Sequence, residues 1–171
     1  GYNYATIARR GSSNWSVSTK GKRNHSSGIF SEEVGAGAIF EMSRILNGFY
    51  EEVRGEKLLT FNPGVLMGGT FINFDKSKSE ANVYGKTNVV AKIARANGGL
   101  RFISENQKQR ARKKMKEIVE QGLPNTSATI SFEDSYPAMK PTEGTIKLLK
   151  LFSDVSSALN HGEVQAYDPL N

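Results

Sequence analysis

Residue types that do chemistry are scarce in this chain. It has two histidines, His25 and His161, and no cysteine among 171 residues. A hydrolytic zinc site takes three or more His or carboxylate ligands and keeps one position for water. Neither histidine carries the H-x-D or H-E-x-x-H spacing that would begin such a set. The G-x-S-x-G turn that presents a nucleophilic serine is missing, so a Ser-His-Asp arrangement has nothing to build on. Gly68-Gly69 and Gly98-Gly99 lack the strand and helix context of a phosphate loop and read as places of close packing or bulging. Zero cysteines exclude disulfides and thiolate metal sites without fixing a compartment. What remains is the setting of His25, in "TKGKRNHSSGIFSEEVGAG" from Thr19 to Gly37, a polar, basic bend. His161, beside Gly162, reads as a favourable charge or cap at a helix C-terminus and is assigned no role.

The elements that must position His25 follow from periodicity. Asn14 to Lys20 alternates, with Trp15, Val17 and Thr19 on one side, which predicts a half-buried strand; a short strand at Tyr4 to Ala8 precedes it. Beyond the bend, Val34, Ala38, Ile39, Met42, Ile45, Leu46, Phe49 and Val53 have helical spacing, and Gly55 stops the helix. Lys57 to Phe61, Val65 to Phe74 and Glu80 to Ile93 are strands or hairpin arms, separated by turns at Pro63-Gly64 and Asp75 to Ser79. Gly98 to Ile103 is a further strand. Ser104, with Gln107 three residues on, opens a helix that ends at Gly122. Thr126 to Phe132 alternates as a last strand. The order strand, helix, strands, helix, strand predicts an α+β fold, a ferredoxin-like two-layer sandwich with an antiparallel sheet and helices on one face. Ile146 to Leu159 is an extra C-terminal helix capped by Thr142.

Composition bounds the function. The apolar fraction of 37% suits one domain or slightly more, and no apolar run is long enough to span a membrane. The chain starts at Gly1, which suggests an excised piece; localisation stays open. The net charge of +6 favours acidic ligands, yet much of it sits in one run, Lys108, Arg110, Arg112, Lys113, Lys114 and Lys116. That run raises a stand-alone ligand-binding or nucleic-acid-binding module as an alternative. The aromatic ribonucleoprotein pattern such a module needs on its exposed sheet face is absent.

The segment "ARRGSSNWSVSTKGKRNHSSGIFSEEVGAGAIFEMSRIL" resembles the lid, or dimerisation, domain of the zinc metallopeptidase family M-twenty, of glutamate carboxypeptidase, aminoacylase and succinyl-diaminopimelate desuccinylase type. "GKTNVVA" around Asn88, "GGLRF" around Arg101 and the connector "SYPAMKPTEG" fit the same family, although Ala91 stands where many relatives have proline. The resemblance implies a lid of residues 1–140, and a segment 141–171 that leads back toward a catalytic domain absent from this chain. Two zinc ions would lie in that absent domain, and none here. By position, His25 would stabilise the oxyanion in the partner subunit's site, and Asn88 and Arg101 would bind substrate, Arg101 through a carboxylate. The resemblance further implies a homodimer through the lid, a peptide or N-acyl amino acid substrate, no nucleic acid and no membrane, and a fragment inactive by itself.

Overall fold

The structure is a computed structural model in which residues 3–75, 77–78 and 80–170 are described. Four long strands form one antiparallel sheet: β2 (Gly11–Lys20), β3 (Thr60–Gly69), β6 (Ile93–Phe102) and β7 (Ser127–Tyr136). Their order across the sheet is β3-β6-β2-β7, which puts the first and third strands of the unit in the middle. Helices α1 (Gly37–Glu52) and α2 (Glu105–Glu120) cover one face. This is the ferredoxin-like sandwich expected from the order of elements.

The core lies between that face and the two helices. Trp15 and Val17 of β2, Ala96, Leu100 and Phe102 of β6, Met42, Ile45 and Phe49 of α1 and Met115 and Ile118 of α2 are all buried. Trp15 packs edge-on to Phe49 with ring centroids 5.6 Å apart and donates its Nε1–H to the Gly99 carbonyl at 3.1 Å, so its one polar atom is satisfied. Gly98 is required beside it, because an added Cβ would overlap the Trp15 ring and the Asn62 carbonyl. The strand therefore runs straight through the paired glycines, from Ile93 to Phe102, where the sequence pattern suggested two separate segments.

Pro63-Gly64 is likewise no turn between strands. It is a bulge inside β3, whose register against β6 shifts between Pro63 and Val65. β3 is the last strand on its side of the sheet, where a residue without an N–H is tolerated. The hairpin of β4 (Phe71–Asp75) and β5 (Glu80–Tyr84) stands outside the main sheet.

Helix ends follow the chemistry of their caps. Ser104 Oγ accepts from the Gln107 N–H at 3.2 Å, and Gln107 Oε1 reaches back to the Ile103 N–H at 2.9 Å, one residue earlier than a strict capping box. Thr142 and Thr145 complete a capping box at the start of α3 (Glu143–Ala158). α3 leaves Ile146, Leu148, Leu151, Phe152, Val155 and Leu159 exposed. The short strands β1 (Tyr4–Ala5) and β8 (Gln165–Ala166) pair in parallel, tying the start of the described chain to the segment after α3. No helix among the described residues is long and apolar enough to cross a membrane.

Candidate functional site

The loop after β2 carries His25 to one end of the sheet. His25 caps a single 3-10 turn, Ser26–Gly28. Its Nδ1 lies 2.8 Å from Ser27 Oγ and accepts from the Ser27 N–H at 3.3 Å. The loop is fastened to the segment before β6: Ser26 N–H donates to the Asn88 carbonyl at 2.9 Å, and Val90 N–H to the Asn24 carbonyl at 2.9 Å. His25 and Val89 face each other in an isolated antiparallel bridge. Asn88 is thereby held next to His25, and both side chains are exposed.

The far side of the loop is anchored to the turn after α2. Ala36 N–H donates to the Pro124 carbonyl at 3.2 Å, and Asn125 Nδ2 donates to the Glu32 carbonyl. Gly35, at φ 71°, approaches Pro124 so closely that an added Cβ would overlap its carbonyl. That turn is in turn gripped by Glu41, fully buried on α1, which accepts from the Leu123 N–H at 2.9 Å and is paired with Arg44 at 2.6 Å. At the base of the loop Lys22 Nζ bonds Glu33 at 2.8 Å, and this hydrogen bond and charge hold the Glu33 carboxyl below its ordinary value.

Arg101 occupies the opposite end. The register pairs Ile93 with Lys20 and Arg101 with Ser12, so the eight residue steps from Ile93 to Arg101 separate the two ends by roughly 27 Å at strand rise. Arg101 is exposed on the sheet face away from the helices. Its guanidinium donates to the Tyr136 hydroxyl and lies 5.5 Å from the centroid of that ring. Arg9 covers the same ring at 5.7 Å. Here too the chain enters and leaves the sandwich, Arg9 and Met139 exchanging two backbone hydrogen bonds of 2.8 Å. The structure thus brings Asn88 to His25 and keeps Arg101 apart from both. Arg9 and Tyr136 received no role from sequence reasoning, although "RRGS" and "SYPAMK" are both within the segments that carried the resemblance.

Between the two ends, the open sheet face holds a groove of about 640 Å³, floored by Asn14, Ser16 and Asn97 and flanked by Val65 and Phe74. Arg101 is four residues beyond Asn97 on the same face of β6.

The basic helix is not a free cationic stripe. Lys108 is bonded to Glu105 at 2.9 Å and Asp134 at 3.1 Å, Arg110 to Glu56 at 2.7 Å and Lys114 to Glu52 at 2.7 Å. Arg112 pairs with Asp134 and lies over the Phe132 ring. These contacts offset the charges of Lys108, Arg110, Arg112 and Lys114. Among the described residues no group of three or more His, Asp or Glu comes together to hold a metal ion.

Known proteins share this fold. The family model described as the peptidase dimerisation domain matches residues 7–127. Similar solved structures include a tripeptidase from Staphylococcus aureus, 17% identical with a TM-score of 0.69, covering 97% of this chain and 40% of its own. The aminopeptidase PepT from Bacillus cereus is 16% identical with a TM-score of 0.68 and the same two coverages. A dinuclear metal-binding peptidase of the M-twenty family from Bacillus subtilis is 13% identical, TM-score 0.59, covering 95% of this chain and 36% of its own. This chain therefore spans two fifths or less of the length of these structures. No curated protein sequence matches it. With a shared ferredoxin-like sandwich and a family match over most of its length, the chain belongs to the peptidase dimerisation domain family of the M-twenty metallopeptidases.

Proposed function

We propose that this chain is the dimerising lid of a zinc-dependent carboxypeptidase or amidohydrolase acting on peptides or N-acyl amino acids, with segment 141–171 leading back to a catalytic domain outside it. The observation that carries the reading is the distance between its two functional ends. Roughly 27 Å of strand between the His25 and Arg101 ends is too far for both side chains to serve one substrate from one subunit. Two copies of the chain remove the conflict: Arg101, at the end where the chain enters and leaves, serves the site of its own subunit, while His25 and Asn88 reach the partner's. His25 would donate an imidazole N–H to the oxyanion that forms as the amide is attacked. Arg101, with Arg9 and the Tyr136 hydroxyl beside it, would hold a substrate carboxylate through its planar fork.

A homodimer fits the surface. α1 exposes Ile39 and Tyr50 next to β3, whose outer edge is unpaired in the main sheet and exposes Val65 and Leu66. An open edge with an apolar helix alongside it suits isologous pairing of two copies.

Mixed dimers of the full-length protein test this assignment. One subunit carries His25→Ala and the other Arg101→Ala, each homodimer being impaired. If the two residues act in different subunits, the mixed dimer has one site with both groups intact, and activity returns to about half the wild-type level after allowing for the fraction of mixed dimers. If both act in their own subunit's site, or both in the partner's, no site is intact. Absence of rescue, once subunit exchange is verified by mass, rejects the proposal. In the homodimers, His25→Ala should lower kcat by about 10²- to 10³-fold, and Arg101→Ala should raise KM by roughly 10- to 100-fold.

A further inference from the structure

The ring of His25 is held on one side only, and the donors that hold it are not interchangeable. A backbone N–H can only donate, so the Ser27 N–H, long at 3.3 Å, favours Nδ1 as an acceptor without holding it there alone. The Ser27 hydroxyl, 2.8 Å from the same nitrogen, donates in the same sense and is the shorter bond, the one lost when Ser27 becomes alanine. In a neutral ring whose Nδ1 accepts, the proton is on Nε2. Nε2 is the nitrogen on the far edge of the ring, away from the 3-10 turn, and the residue is exposed.

We propose that Ser27 is a positioning residue that sets the tautomer of His25, directing its N–H outward from Nε2 so that the loop presents a hydrogen-bond donor and not an acceptor. This rests on the reading of His25 as a donor to a developing oxyanion. It adds the residue that makes the ring a donor in the outward direction. His161 provides the contrast. It is exposed, its ring makes no hydrogen bond among the described residues, and nothing selects a tautomer for it.

With only two histidines in the chain, the ring nitrogens can be read without ambiguity. Long-range proton–nitrogen correlation spectra of the 15N-labelled chain in mildly alkaline buffer should show His25 with a pyridine-like Nδ1 and a pyrrole-like Nε2. Their separation should exceed that of the tautomer-averaged His161. Ser27→Ala should narrow the His25 separation toward that of His161, and Ser27→Thr, which restores a hydroxyl, should recover it. Exchange protection of the Ser26 amide, bonded to the Asn88 carbonyl, reports whether the loop survives each change. A pyrrole-like Nδ1 in the wild-type chain overturns the proposal outright, whether or not a variant folds. An unchanged separation in Ser27→Ala overturns it as well. In the full-length protein, Ser27→Ala should lower kcat about 10-fold, the low end for removing the orienting partner of a functional histidine, with KM unchanged and recovery in Ser27→Thr. If His25→Ala lowers kcat and Ser27→Ala does not, the positioning role fails. If His25→Ala leaves kcat unchanged, the oxyanion reading fails, and the spectra alone decide the tautomer.

Discussion

Replacing Arg44 by alanine should be among the most damaging changes on the surface of α1. Glu41 is 0% exposed, and its carboxylate is held by three donors: Arg44 Nη2 at 2.6 Å, Arg44 Nε at 3.0 Å and the Leu123 N–H at 2.9 Å. Arg44→Ala removes two of them and leaves a charge in a closed site with a single neutral donor. Breaking a buried pair by deleting one partner costs about 3–5 kcal/mol. The Arg44 side chain keeps 21% exposure, so water can follow into the space it leaves, and about 3 kcal/mol, the low end, is expected. At a urea m-value of about 2 kcal/mol/M, the unfolding midpoint should fall by about 1.5 M. Adding Glu41→Gln should recover at least about 1 kcal/mol, because the neutral amide can still accept from Leu123 and no longer buries a charge. The damage should also travel. Leu123 belongs to the turn that holds Ala36 and Glu32, so amide exchange at Ala36 should accelerate in Arg44→Ala. A loss below about 1 kcal/mol, or a double variant no more stable than the single, would refute the assignment of Glu41 as a charge that depends on Arg44.

Three further outcomes follow from the same structure. The Arg110 hydrogen bond, ahead of opposing desolvation, holds the Glu56 carboxyl below its ordinary 4.5; its contribution is therefore present above pH 4.5 and lost as pH falls through the depressed folded value. Urea midpoints between pH 6 and 3 should show that slope reduced in Arg110→Met, by a small amount for so exposed a pair. Gly98→Ala should cost about 3 kcal/mol or more, read from thermal or urea unfolding, because neither the Trp15 ring nor the Asn62 backbone can yield cheaply. Leu66→Lys on the exposed edge of β3 should weaken self-association at least about 10-fold in sedimentation equilibrium without changing the unfolding midpoint of the monomer.

Helices were the most legible part of this sequence because their signals are local. The apolar stripe of α1, the Ser104 cap, the Gly122 stop and the Thr142 cap all lie within a few residues of the ends they define. Strands were less so. Pro63-Gly64 and Gly98-Gly99 carry the same residue types as turns, and only their neighbours across the sheet decide otherwise: Pro63 is opposite Gly98, where Trp15 needs room. The Gly98 pair did read as a place of close packing, yet its effect on the strand boundary could not be seen without knowing what packs there. The site divides in the same way. His25 stood out because histidine is rare, but its union with Asn88, 63 residues away, depends on backbone bonds that no spacing encodes. Nothing local separates Arg101 from His25 either; the separation exists only in the register of β2 against β6. Tyr136 and Arg9 escaped notice because an exposed tyrosine and one more arginine are ordinary in a basic chain.

The paired backbone bonds between Arg9 and Met139 have a mechanical consequence. A rigid sandwich held by two bridged connecting segments at one end is a lever, with its fulcrum at that stalk and its load at the opposite tip. With an arm of roughly 27 Å, a rotation of about 10° at the stalk displaces the tip by about 5 Å, more than the length of a hydrogen bond. Arg101, close to the fulcrum, barely moves in the same swing. A small torsion in two backbone segments is thus enough to shift the far loop by several ångströms while the near end stays in place.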